Sequence, residues 1–332
     1  MIRPLTIVLA IIFALAGCVS IIAPSGPLVK KPPETADFFV MPDGTRLPYR
    51  VWLPDGAPKA VVLALHGMND SRDAWEYPAP DFAAAGIAVF APDLRGFGAT
   101  PTRGLWPGSD GLTDDSRVMA RLLRARYPRM RLILMAESMG AAALMVLATR
   151  PDPPKVDGYV LIAPAVWGRA EMNIFMRTSL WVAEHTVPGL IVTGGGLVKV
   201  TASDNRQALV RLSTDPLTLH GTRVDAIQGL VDLMDQALAA SAKFQAPSLF
   251  LYGGHDELVP PRATAATWRA LPSGPLTAFY PSGYHLLLRD KDRAAPIGDI
   301  LAWIDNPHLP LPSGADHAAV DWLKAQTASH DR

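Results

Sequence analysis

The sequence predicts a mostly parallel α/β sheet with helices on both faces and a helical cap inserted into it. Three observations carry that reading. Apolar runs of strand length alternate with helical patterns across short loops, the pattern of a doubly wound sheet. One such strand, over 131–135, runs straight into a helix through Ala136-Glu137-Ser138-Met139-Gly140, a turn of small residues around a serine. The alternation then stops over residues 167–240 and resumes beyond them. With 332 residues, 49% of them hydrophobic, the chain is long enough to bury such a core.

Taken in order, two strands over 38–41 and 47–53 are joined through Pro42-Asp43-Gly44, residue types that favour a turn. The run 61–65 is a buried strand ending in His66-Gly67-Met68-Asn69-Asp70. A helix over 80–85 leads to a buried strand over 87–91, followed by Asp93-Leu94-Arg95-Gly96-Phe97-Gly98. Residues 112–127 have helical spacing, with Asp114 and Asp115 in the first turn, where carboxylates suit the helix dipole. A strand over 158–162 closes the first part of the core, residues 37–166. The cap, 167–240, is mainly helical and contains Phe175, Trp181 and the cluster Gly194-Gly195-Gly196. The second part of the core, 241–305, holds strands over 248–252 and 276–280 and helices near 263–271 and 296–304. Residues 306–332 read as a polar tail with a short helical stretch at 318–325. No internal repeat is present.

The chemistry concentrates at the ends of strands, where open parallel sheets place their sites. Ser138 sits in a close variant of the Gly-x-Ser-x-Gly elbow, with Ala136 at the first glycine position. Such a turn exposes the hydroxyl, and the helix start behind it favours developing negative charge. A serine hydroxyl is a weak nucleophile until a base takes its proton, and a carboxylate must fix that base's tautomer. Two later loops supply both groups: Gly253-Gly254-His255-Asp256-Glu257 and Ser282-Gly283-Tyr284-His285-Leu286. Glu257 beside Asp256 leaves two candidates for the acid. The oxyanion needs two fixed donors, for which the N–H of Met139 and that of Met68 are placed. His66 reads as a structural hydrogen-bonding residue rather than a second base. The eight histidines show no metal-ligand spacing, and the 93–98 loop lacks the lysine of a phosphate loop. No metal or organic cofactor is implied.

The order Ser138, Asp256, His285 is that of the α/β-hydrolase triad, and the chain resembles that family. Within it, His66-Gly67, the 93–98 loop, Glu137-Ser138-Met139-Gly140, Asp256 and Gly283-Tyr284-His285 are similar to the monoacylglycerol lipase and lysophospholipase branch. Ser203-Asp204-Asn205 and Asp215-Pro216-Leu217 resemble the cap of that branch. The resemblance implies Ser138 as nucleophile, His285 as base, Asp256 as orienting acid, and Met68 and Met139 as oxyanion-hole donors. It implies a serine ester hydrolase acting on single-chain acyl esters such as monoacylglycerols or lysophospholipids. A peptidase, amidase or acyltransferase on the same triad stays open, since fold does not fix the acceptor. So does a catalytically silent lipid-binding envelope lipoprotein.

The N-terminus points to a membrane. Arg3, an apolar run over 5–15, and Leu15-Ala16-Gly17-Cys18 have the order of a secretory signal. The last four residues resemble the bacterial lipobox, which would make 1–18 a leader and leave Cys18, the single cysteine, as the lipid attachment site. Residues 4–24 are also apolar over about the length that spans a bilayer, so an uncleaved anchor and a plain cleaved signal stay open as lesser alternatives to the lipoprotein. Each places the domain outside the cytoplasm. Residues 19–36, with Lys30-Lys31-Pro32-Pro33, read as a Pro-rich tether that holds the domain up to several tens of Å from the membrane. Lys+Arg and Asp+Glu are both 31, so no global field favours nucleic acid.

Overall fold

The computed structural model describes residues 19–28, 37–193 and 200–328. Cys18, the leader and the 194–196 glycines lie outside these residues. The core is an eight-stranded sheet in the order β1-β2-β4-β3-β5-β6-β9-β10. Its strands are β1 (Phe38–Val40), β2 (Arg46–Trp52), β3 (Ala60–Leu65), β4 (Ile87–Pro92), β5 (Arg131–Glu137), β6 (Gly158–Ile162), β9 (Ser248–Gly253) and β10 (Leu276–Tyr280). β1 and β2 are antiparallel to their neighbours, and β4 through β10 run parallel. The mostly parallel doubly wound sheet is therefore the one the sequence predicts.

Because side chains alternate along a strand, each strand feeds two cores. Val61, Leu63 and Leu65 face one apolar cluster and Ala60, Val62 and Ala64 the other. The first face is covered by α2 (Gly108–Arg126), α3 (Ser138–Ala148), α6 (Val224–Ser241) and α7 (Pro261–Ala270), whose Met119, Leu144, Leu233 and Ala263 are buried in it. The second is covered by α1 (Ala79–Ala84) and α8 (Ala294–Asp305) through Phe82, Ile300 and Trp303. α6 lies within the stretch read as cap, yet it packs along the body. Its Val231, Leu233, Met234 and Ala237 are buried against the helix that starts at Ser138. The remaining cap elements are α4 (Ile174–Thr186), α5 (Arg206–Thr214) and the hairpin β7 (Ile191–Val192) with β8 (Thr222–Arg223).

Two regions differ from the sequence reading. The helix in the tail, α9 (Ala315–Ala328), is longer than 318–325 and covers the edge strand β10. Trp322 stacks on Phe279 with centroids 5.0 Å apart and meets Trp268 edge-on at 5.1 Å. Burying that aromatic cluster closes an edge that would otherwise present unpaired backbone. The beginning of the tether is likewise docked rather than free. The Ala23 N–H donates to the Trp106 carbonyl at 2.9 Å, and the Gly26 N–H donates to Asp43 at 2.8 Å.

Candidate active site

Ser138 opens α3 directly at the end of β5, with no intervening loop, and its φ is +48°. A non-glycine residue in that region is strained, and such strain persists where surrounding packing enforces it. The packing is visible two residues on. A Cβ at Gly140 would sit 2.6 Å from the His66 carbonyl oxygen and 3.1 Å from Leu65, so only glycine lets α3 approach β3 this closely. Ala136, the departure from the usual motif, is fully buried in the sheet and leaves this approach unchanged. The Ser138 carbonyl accepts from the Ala165 N–H at 3.0 Å, which ties the elbow to the loop after β6.

The loops after β9 and β10 are joined through their backbones. The Gly254 N–H donates to Tyr280 O and the His255 N–H to Gly283 O, each at 2.8 Å. That pairing brings Asp256 and His285 together: His285 Nδ1 lies 2.8 Å from Asp256 Oδ2 in a buried contact. The other oxygen of Asp256 accepts from the N–H groups of Leu258 at 2.8 Å and Val259 at 2.9 Å. Asp256 thus has one oxygen fixed by the chain and one for the imidazole. Glu257 points elsewhere and accepts from the exposed Thr201 N–H. The geometry separates two adjacent acids that the sequence could not.

His66 holds the loop that carries Met68. Its Nε2 accepts from the Leu94 N–H at 3.0 Å, and its Nδ1 donates to Gly67 O at 2.7 Å. Both bonds require the neutral ring. Burial lowers the His66 pKa, and the nearby Asp70 charge only partly opposes this. The 93–98 loop therefore props His66 through the Leu94 N–H. Asp93 anchors that loop in turn, accepting from Arg72 and from the Ala99 N–H at 2.8 Å. Gly67 brings the backbone against Ser138, since a Cβ there would lie 3.3 Å from Ser138 Cβ. Met139, in the first turn of α3, is fully buried.

A cleft of about 360 Å³ joins these parts, lined by Gly67, Met68, Ser138 and His285. Its apolar wall comes from Leu209 and Leu212 of α5 and from Leu219, Leu258 and Leu286. Other large apolar residues of the 167–240 stretch lie elsewhere. Leu180 and Trp181 line a separate hollow with Arg169 and Gln228, and Leu233 and Met234 are in the core.

Sequence reasoning missed Arg289, four residues beyond His285. Its side chain is 4% exposed and donates to Asp70 at 2.6 Å and to Glu137 at 2.8 Å. Burial alone would lower its pKa, but the two carboxylates outweigh that and raise it. One guanidinium thereby joins the Met68 loop, the residue before Ser138, and the loop that carries His285. The cap is fastened to the same place. Ser203 donates to Asp290 at 2.6 Å, Asn205 to the Arg289 carbonyl at 2.9 Å, and the Leu286 N–H to Ala202 O at 2.8 Å. On the other side, the Leu219 N–H donates to Asn69 O at 2.8 Å and Asn69 Nδ2 to Thr222 at 2.6 Å.

A family model described as serine aminopeptidase, S33, matches residues 56–292. The monoacylglycerol lipase of Mycolicibacterium smegmatis is 25% identical over 264 residues, covering 79% of this chain and 93% of that one. The human monoglyceride lipase is 26% identical over 269 residues, 78% of this chain and 86% of its own. Among solved structures, the monoacylglycerol lipase of Paleococcus ferrophilus superposes with a TM-score of 0.65 at 22% identity, covering 78% of this chain and 98% of that one. A soluble variant of the monoglyceride lipase of Saccharomyces cerevisiae, solved with a substrate analog, gives 0.67 at 18% identity, covering 84% and 98%. At these identities the structures speak for the fold, which is that of the α/β-hydrolases.

Proposed function

The chain belongs to the serine aminopeptidase S33 family of α/β-hydrolases, and from that premise we propose that it cleaves single-chain acyl esters at Ser138. It is a serine ester hydrolase; the proposal concerns its machinery, its substrate and its place. The observation that carries it is the buried His285–Asp256 contact at 2.8 Å opening on the same cleft as Ser138.

With Nδ1–H committed to Asp256, His285 presents Nε2 as a proton acceptor. His285 takes the proton of Ser138 as Oγ attacks the ester carbonyl. The oxyanion that forms is held by the N–H groups of Met68 and Met139, aided by the start of α3. His285 returns the proton to the departing alcohol, leaving an acyl-serine. Water, deprotonated by His285, then attacks that ester; Ser138 regains its proton and a fatty acid leaves.

The leucine wall suits an acyl chain, and Asp70, Glu137 and Arg289, which also line the cleft, suit a hydroxylated or charged end. Monoacylglycerols and lysophospholipids have that shape. Cys18 is the lipid attachment site in this reading, which makes the protein an extracytoplasmic, membrane-anchored envelope lipoprotein.

The test is kcat/KM for p-nitrophenyl esters from acetyl to palmitoyl, below their micelle thresholds, with Ser138→Ala and an aminoacyl arylamide alongside. Each buried methylene contributes about 0.8 kcal/mol, or about fourfold, until the wall is filled. A profile that peaks at acetyl and falls refutes the lipid ester, turnover confined to the arylamide refutes the ester, and full turnover by folded Ser138→Ala refutes the nucleophile.

A further inference from the structure

A normal surface helix buries one stripe of side chains. The helix α4 buries none: every residue from Ile174 to Thr186 is at least partly exposed. Phe175 is 80% exposed and Trp181 59%, and Leu190 and Ile191 continue the same apolar run beyond the helix. Nine of the twenty exposed large apolar side chains among the described residues fall within 174–192. Three more, Val19, Ile21 and Ile22, are at the start of the described chain.

These two groups are side by side. Ser20 Oγ donates to Glu184 of α4 at 3.2 Å, and the Ile21 N–H donates to Asp225, at the start of α6, at 3.1 Å. Ile22 forms a β-bridge with Trp106, and the Ala23 N–H donates to the same residue's carbonyl at 2.9 Å. The chain from Ser20 to Ala23 is therefore fastened to the cap and the body beneath it. Cys18 precedes the first fastened residue by only two positions, which allows a reach of about 7 Å.

We propose that the domain lies flat on a lipid bilayer, with the 174–192 surface of the cap and residues 19–22 forming one membrane face. This rests on the anchor reading above. An acyl group on Cys18 enters the bilayer at the edge of the exposed apolar patch and leaves no tether to hold the patch away. Within the patch the charges are few, Arg177, His185 and the partly covered Glu184; at its margin Arg169 is paired with Asp232 and Asp235 and Arg223 with Asp225, and Asp110 and Asp114 lie beside residues 20–22. An apolar surface with few charges sits at the boundary between headgroups and acyl chains.

The experiment uses the full-length chain, matured in bacterial membranes and transferred to vesicles of phosphatidylethanolamine and phosphatidylglycerol. Phe175→Cys, Ile191→Cys and Lys324→Cys each carry an environment-sensitive fluorophore. Lys324 is a 72% exposed control on α9, the helix that covers β10. Positions 175 and 191 should shift to the blue and lose emission to spin-labelled lipids, while 324 does neither. Equal, water-like emission at all three positions on vesicle-bound protein overturns the proposal, as does shielding of 175 that persists without lipid, the mark of a second protein copy. Intact mass judges the anchor separately. An unmodified Cys18 refutes lipidation, and the three labels, read at saturating lipid, still decide the face.

Discussion

Arg289→Met removes the one cation between Asp70 and Glu137 and leaves two buried carboxylates facing each other across the space it occupied. Both partners lie within hydrogen-bonding distance in the native protein, at 2.6 and 2.8 Å, and all three side chains are at most 9% exposed. Breaking such a buried pair by removing one member costs about 3–5 kcal/mol. In a domain of this size that corresponds to a fall in Tm of roughly 6–10 °C. The assay is thermal unfolding of the single variant beside the triple variant Arg289→Met/Asp70→Asn/Glu137→Gln. Neutralising all three groups removes the unpaired charge and returns most of the loss, because an ion cluster replaced as a whole is nearly neutral in stability. Arg289→Lys tests position rather than charge: it keeps the cation but, being shorter, draws it back from the point where Nη2 donates to both acids, so kcat should fall while KM stays close to wild type. If the triple variant is as unstable as the single, or Arg289→Lys turns over normally, the cluster does not hold the three loops in register.

The remaining predictions follow from single contacts. Asp256→Asn should lower kcat by roughly 10⁴-fold through loss of the His285 tautomer, while Glu257→Gln, whose carboxylate meets only the exposed Thr201 N–H, should not change the rate of ester hydrolysis. Gly140→Ala should cost about 1–3 kcal/mol of stability, seen in urea unfolding, because its methyl would lie 2.6 Å from the His66 carbonyl; Ala136→Gly should leave the β3–α3 approach intact and have a far smaller effect. His66 is neutral when folded with its pKa held below 6.5, so its contribution to stability is present above pH 6.5 and is lost as acid protonates the unfolded chain. Between about pH 6.5 and the folded pKa, denaturation curves should show a loss of up to about 1.4 kcal/mol per pH unit, and His66→Gln should remove that slope.

Strands were legible wherever an apolar run was bounded by turn residues. The strands Gly158–Ile162 and Leu276–Tyr280 occupy the residues their sequence suggests, and α2 differs mainly in starting four residues earlier, at Gly108. Ser138, Asp256 and His285 stood out because each lies just beyond a strand with a glycine two residues away, a local pattern. Arg289 did not: it ends a run of three leucines, and its partners lie 219 and 152 positions away along the chain. No local spacing reports a cluster assembled from three loops. The apolar residues of the cap were visible as clusters, but whether a cluster faces substrate, core or solvent is decided by tertiary packing. Leu209 and Leu212 reach the cleft while Phe175 and Trp181 face outward. The docking of residues 20–26 was hidden for the same reason. A Pro-rich composition describes a stiff chain, and it says nothing of acceptors such as Trp106 O and Asp43 that hold it.

The cap's attachments on either side of α5 have a mechanical meaning. Residues 202–205 are tied to the loop of the base, and 216–222 are tied to the Met68 loop and, through Arg103, to the loop after β4. What spans the gap is a nine-residue helix, and it carries Leu209, Leu212 and Ser213 over the cleft. The entrance to Ser138 is thus a window with a rigid frame and a single crossbar. The crossbar is latched by Arg211, which reaches Asp73 at 3.2 Å and Glu76 at 2.9 Å from a position about one-third exposed. Ion pairs that wet are weakened by salt. Raising ionic strength would therefore loosen the bar while the frame, built on backbone bonds and buried groups, keeps the catalytic loops where they are.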